Sequence, residues 1–154
     1  PPPTVLAALG SNMTKRASER TAGALPYNVT PEHTAWARGV MGPDKWLCVE
    51  QKVLRVTEPT KAREVARQAI APYMGAPNYR NNWTRLGFTE ADVANGGSDR
   101  FLDAMVAWGD DATIQQRIQQ HFDAGASHVC IQPLHPERQP WPDLDALEAF
   151  APSP

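Results

Sequence analysis

The sequence lacks the short motifs that announce most catalytic chemistry. It has no Walker loop, no GxGxxG, no GxSxG, no CxxC and no HExxH, which removes the simplest phosphate-loop, dinucleotide, hydrolase, thiol-redox and zinc-peptidase readings. Cysteine is scarce: Cys48 and Cys130 are the two present. Both sit in apolar, strand-like runs with no His or Cys at metal spacing. They are expected to be buried free thiols of a reducing cytoplasm, and no metal is expected. Excess charge is also missing. A net charge of -2 leaves no basic footprint for sequence-independent nucleic-acid binding. No apolar run approaches the roughly 20 residues of a spanning helix, and no secretory leader pattern appears, so no membrane partner is expected.

What is plentiful is proline, with 15 residues that mostly punctuate element ends or crowd the termini. The 154 residues, 42% of them hydrophobic, suit one globular domain with a core of useful size. The chain opens Pro1-Pro2-Pro3 without an initiator methionine and runs at once into an apolar strand. It is therefore expected to be a fragment, or the ordered part, of a longer chain.

Periodicity and punctuation give the element order. Thr4 to Leu9 is a short apolar run ending at Gly10, as in a strand buried on both faces. A helix follows over Asn12 to Thr21, capped by Ser11 or Asn12 and stopped by Gly23. Ala24 to Val29 is a weaker strand. Thr30-Pro31 starts a helix that breaks at Gly42-Pro43. Trp46 to Val56 is the strongest strand, interrupted by Glu50, Lys52 and Arg55, and Pro59 to Tyr73 is an amphipathic helix. Met74 to Gly97 reads as irregular, a packed loop or subunit contact. Helices over Asp99 to Trp108 and Asp111 to Ala124, a strand over His128 to Leu134 and a helix over Asp143 to Phe150 complete the chain. Strands alternating with helices argue an α/β protein with a parallel sheet. Four such units make half an eight-stranded barrel or a small open sheet, and the pattern alone does not choose.

At Pro3-Thr4-Val5-Leu6-Ala7-Ala8-Leu9-Gly10-Ser11-Asn12-Met13, followed by Ala17, Glu19 and Gly23, the chain resembles the luciferase-like flavin and deazaflavin oxidoreductases. The likeness runs on through Leu25-Pro26-Tyr27, Thr30-Pro31-Glu32-His33-Thr34, Glu50-Gln51-Lys52-Val53 and Asn78-Tyr79-Arg80-Asn81-Asn82. It continues in Leu86-Gly87-Phe88, Gly97-Ser98-Asp99-Arg100 and Ala124-Gly125-Ala126-Ser127-His128-Val129. Ala22 departs from it, standing where many relatives have an acidic residue. The resemblance implies a (β/α)8 TIM barrel of which residues 1–154 are a single domain, the C-terminal half with strands five to eight. Within the superfamily the chain looks most like the branch that uses coenzyme F420, with FMN as the alternative cofactor. It further implies that the turn Gly10, Ser11, Asn12, Met13 and Thr14 grips a cofactor phosphate, a role open to the first exposed N–H groups of a helix. The bland reading of that turn is a helix cap alone.

The remaining candidates come from position. Tyr27 at the end of the second strand either walls a flavin-like ring or packs under a loop. Glu50 either meets the cofactor ring or forms an internal pair with Lys or Arg, because charge in a barrel strand is costly unless paired. Gln132 is a neutral counterpart on the last strand. His33, near a helix start, is a weaker functional candidate whose alternative is a surface or capping residue; His128 is read as structural and His135 as able to look into the site, and no catalytic residue is assigned. The expected function is F420-dependent hydride transfer to or from an organic substrate in the cytoplasm. The alternatives are an FMN-dependent monooxygenase and a non-catalytic half-barrel. The partners expected are a small-molecule substrate and either the missing N-terminal half or a second copy of the chain, because a half-barrel leaves two strand edges unpaired.

Overall fold

The computed structural model describes residues 2–152, so Pro1 of the opening proline run lies outside the described residues. In chain order the elements are β1 (Val5–Ala7), α1 (Ser11–Arg20), β2 (Gly23–Leu25), α2 (Pro31–Met41), β3 (Trp46–Leu54), α3 (Pro59–Ile70) and α4 (Pro77–Arg85). They continue with α5 (Glu90–Val93), α6 (Asp99–Met105), β4 (Val106–Trp108), α7 (Asp111–Asp123), β5 (His128–Pro133) and α8 (Leu144–Ala149). All strand pairings are parallel, β1 with β2, β2 with β3, and β3 with both β4 and β5.

β3 organises the sheet. Its even-numbered residues aim their backbone groups at β2 and then at β4, as in Glu50 N–H to Pro26 O (3.2 Å) and Gly109 N–H to Leu54 O (3.2 Å). Odd-numbered residues face β5, as in Ser127 N–H to Leu47 O (2.9 Å) and Leu134 N–H to Val53 O (2.8 Å). β4 thus takes over the β3 edge where β2 ends. Side chains divide the same way. Leu47, Val49 and Val53 face the helices, the first two against Ala17, Ala37 and Met41, the third against Ile114 and Ile118. Glu50 and Lys52 lie on the other face with Gln132, which is paired across from Lys52.

Several local expectations are corrected. The stretch from Met74 to Gly97 contains α4 and α5. Its asparagines are weak helix formers, yet Pro77 fits the first turn and α4 buries Trp83 completely, so tertiary packing overrides propensity. Trp83 stands at the centre of an aromatic cluster, edge-on to Phe101 at 4.8 Å and stacked on Tyr79 at 5.8 Å. Val106 to Trp108 leave the helix expected there because the far part of β3 offers a free edge to β-branched Val106. Gly23 belongs to β2 rather than stopping α1. A Cβ there would sit 1.9 Å from Trp46 O, so only glycine permits this approach of β2 to β3. The thiols are free as expected but half-buried rather than buried, since Cys48 and Cys130 share the sheet face with Glu50 and fall outside the apolar clusters.

Candidate functional site

Two groups of residues gather at the C-terminal ends of the strands, the side on which barrel enzymes carry their sites. The first is the turn after β1. Gly10, not Ser11 or Asn12, is the N-cap of α1, and no side chain caps the helix. The first intrahelical bond is Thr14 N–H to Gly10 O (2.9 Å), which leaves the N–H groups of Ser11, Asn12 and Met13 without a helical partner. These three residues are exposed, whereas Thr14 is buried on the inner side of the helix. Thr14 therefore supplies packing to the turn rather than an exposed donor.

Arg85 completes this turn, and sequence reading missed it because the stretch around it looked irregular. Its guanidinium nitrogens lie 3.7 Å from where a Cβ on Gly10 would stand. One of them donates to Leu9 O (3.3 Å) and to Asn82 Oδ1 (3.0 Å). Arg85 forms no ion pair among the described residues. An uncapped helix start beside a held but unneutralised guanidinium fits a phosphate.

The second group is built on β2, β3 and β5. Glu50 and Lys52 form a buried pair at 3.2 Å, and Lys52 Nζ also donates to Asn28 Oδ1 at 2.6 Å. The other Glu50 oxygen accepts from Asn28 N–H at 3.1 Å. Asn28 can serve both because its φ of 55° places it in the left-handed region, tolerated by asparagine more than by most residues. The α4 residue Trp83 fixes the same loop by donating its indole N–H to Asn28 O at 3.1 Å. Burial pushes the Glu50 carboxyl up and the Lys52 ammonium down, and their mutual attraction opposes both shifts. Of the two readings of Glu50, the internal pair is the one realised. Glu50 is bonded by Lys52 and Asn28 and is buried with them.

Tyr27 sits over this pair, its ring centroid 4.0 Å from Lys52 Nζ. Its hydroxyl donates to Gln132 Oε1 at 2.7 Å and bonds Tyr73 Oη at 3.0 Å. Burial first, and the Tyr73 hydroxyl second, push its ionisation well above the ordinary tyrosine value. The half-buried ring leans on Tyr73 and Tyr79 at 5.4 and 6.4 Å. It is therefore a neutral tyrosine packed over the Glu50–Lys52 pair.

The histidines fall elsewhere. His33 is buried rather than superficial and bonds Leu9 O at 3.0 Å. His121 is buried between Gln51 Oε1 (2.9 Å) and Thr34 Oγ1 (2.8 Å), joining β3, α2 and α7. His128 is exposed. His135 accepts from Glu137 N–H at 3.1 Å and lines a groove with Arg55 and Asp111, away from Glu50 and Tyr27. No group of three His, Cys, Asp or Glu side chains among the described residues is placed to hold a metal.

Solved structures carry the same architecture. The chain superposes on the coenzyme F420-dependent tetrahydromethanopterin reductase of Methanopyrus kandleri with a TM-score of 0.55 at 16% identity, over 84% of this chain and 44% of that one. It superposes on an F420-dependent secondary alcohol dehydrogenase, solved with an F420-acetone adduct, with a TM-score of 0.59 at 15% identity, over 84% and 42%. The fold is thus an α/β arrangement matching part of these F420-dependent enzymes, and the chain spans less than half the length of either. No family model matches the sequence, and no curated protein does. No helix among the described residues is long and apolar enough to cross a membrane.

Proposed function

We propose that the chain is the C-terminal half-barrel of an F420-dependent oxidoreductase of the luciferase-like kind. The observation that carries this reading is the uncapped start of α1 with Arg85 beside it, at the C-terminal end of β1 in a fold shared with F420-dependent enzymes. The free N–H groups of Ser11, Asn12 and Met13, with the Arg85 guanidinium, hold a phosphate of the cofactor tail. Tyr27 walls the ring, and Glu50 works from behind it by fixing Lys52 and Asn28. When bound, F420 supplies hydride transfer, so the protein is asked only to position the reactants and exclude water.

The outer edges of β1 and β5 have no partner strand among the described residues. Unpaired parallel edges invite pairing, so the working unit joins this chain to a complementary half-barrel or to a second copy. Light scattering showing a monomer across the micromolar range would remove the second-copy arrangement.

Binding of F420 and, separately, of FMN tests the cofactor reading, followed by the ligand's own fluorescence. Ser11→Pro deletes one free N–H at a position where a helix tolerates proline, and Arg85→Gln deletes the charge. Each is expected to weaken F420 binding about tenfold, the value of one charge-assisted hydrogen bond. FMN binding in place of F420 would move the assignment to a flavin enzyme. No binding of either would leave the fold without this function.

A further inference from the structure

Between α2 and α4, next to the Gly10 turn, lies a cleft of about 500 Å³ lined by Glu32, His33, Trp36, Asn82, Arg85 and Leu86. Two of these side chains are buried and carry polar atoms with no partner among the described residues, His33 Nδ1 and Asn82 Nδ2. Leaving such atoms unpaired is costly, so a site that keeps two of them in one cleft calls for a ligand.

Their bonding defines what each offers. His33 Nε2 contacts a carbonyl oxygen, Leu9 O, which can only accept, so Nε2 carries the proton. Burial, against the opposing bond to Leu9 O and helped by the charge of Arg85, holds the ring's pKa below the ordinary histidine value. Nδ1 is therefore a bare acceptor. Asn82 Oδ1 accepts from Arg85, which leaves its Nδ2 as a bare donor. The remaining guanidinium donors of Arg85 add positive charge. Glu32 stands exposed at the rim, where it also lines a neighbouring pocket with Arg117. The cleft thus presents a cation, a neutral donor and a lone acceptor. A fully deprotonated oxyanion satisfies the first two and repels the third. An oxyanion that retains an O–H satisfies all three.

We propose that the cleft binds a phosphate group bearing a hydroxyl, with Arg85 and the Asn82 amide on its anionic oxygens and His33 Nδ1 accepting from its O–H. Near neutral pH free phosphate keeps at least one proton, while sulfate, of like size and shape, keeps none. The site therefore reads protonation of the anion and not charge alone. The cleft adjoins the Gly10 turn and shares Arg85 with it, but it asks for a free P–OH that the diester phosphate of a cofactor tail lacks, so it is a site of its own beside that anion grip.

The test is a titration of the isotope-labelled 154-residue chain with sodium phosphate and with sodium sulfate at equal ionic strength. Nitrogen–proton correlation spectra follow the amides of Ser11, Asn12 and Met13 and the Asn82 side-chain NH2. Phosphate is expected to shift these signals in a saturable way, and sulfate to bind about tenfold more weakly, the value of one hydrogen bond to an otherwise unpaired group. His33→Phe is expected to bring phosphate down to the sulfate level while leaving sulfate unchanged. Asn82→Asp, nearly isosteric, is expected to abolish both. Equal binding of the two ions, or shifts confined to other parts of the chain, overturns the proposal, and the unaltered chain alone decides this if a variant does not fold. Discrimination between the ions without F420 binding would leave this site standing and the cofactor reading fallen. F420 binding without discrimination would do the reverse.

Discussion

His121 makes the stability of this protein depend on pH in a calculable way. Its ring is fully buried, and the loss of water holds its pKa down from 6.5 to about 4, with nearby Arg117 adding to the shift and Glu32 opposing it. Gln51 Oε1 can only accept, so Nε2 carries the proton and Nδ1 accepts from Thr34 Oγ1. A second proton at Nδ1 would have to displace that bond. Because the folded value lies below the unfolded one, the stabilisation is complete above the unfolded pKa and is lost as pH falls toward the folded one. The full loss is about 3 kcal/mol, and about 2 kcal/mol of it falls between pH 7 and pH 5. Urea unfolding at those two pH values is the assay. The midpoint is expected to drop by roughly 1 M on this account, using an ordinary urea slope for a chain of this size. Other groups titrate in the same window, so the informative quantity is the comparison with His121→Gln, which cannot take up the proton. The variant should start less stable at pH 7 and lose about 2 kcal/mol less on acidification. Equal losses in the two proteins would refute the reasoning, as would an imidazole resonance that titrates near the ordinary histidine value.

Three further outcomes follow from the same contacts. Lys52→Met leaves Glu50 buried and unpaired, and should cost about 3–5 kcal/mol in denaturant unfolding; adding Glu50→Gln should recover most of it, and a double variant no better than the single would argue against the pair. Gly23→Ala places a methyl where Trp46 O already stands, so β2 must withdraw from β3; an unchanged melting temperature would contradict the close approach. Arg38 donates to Gly42 O (2.6 Å), Lys45 O (2.9 Å) and Gly125 O (2.8 Å), tying the loop before β3 to the loop before β5. Arg38→Ala should lose about 2–3 kcal/mol and speed hydrogen exchange at both loops, and a change at one loop only would mean they are not coupled.

The legible parts of this fold were those where local chemistry and tertiary packing agree. Of the amphipathic stripe Ala62, Val65, Ala66, Ala69 and Ile70, all but the part-buried Ala69 form the buried face of α3, and Thr30-Pro31 does begin α2. Ser98 does cap α6, accepting from Phe101 N–H. The misread parts were those decided at a distance. Nothing local in Asn78 to Arg85 marks a helix, because its stability comes from burying Trp83 against residues far along the chain. Val106 to Trp108 become a strand only because β2 is too short to cover β3. For the site, the position of the Gly10 turn and the choice between a paired and a free Glu50 were visible in the sequence. Arg85 and the bare His33 nitrogen were not, since both depend on where α4 comes to rest.

β3 carries a further implication. Glu50, Gln51 and Lys52 follow one another, and each is correct on one side of the sheet only. A slip of one residue would press the ion pair against Ile114 and Ile118 and turn Gln51 toward Tyr27. The run of three polar residues thus works as an alignment mark, tolerating a single registration of the strand. Since β5, the last strand among the described residues, pairs along β3 from Cys48 to Val53, an error at this mark would be copied into the sheet's outer edge.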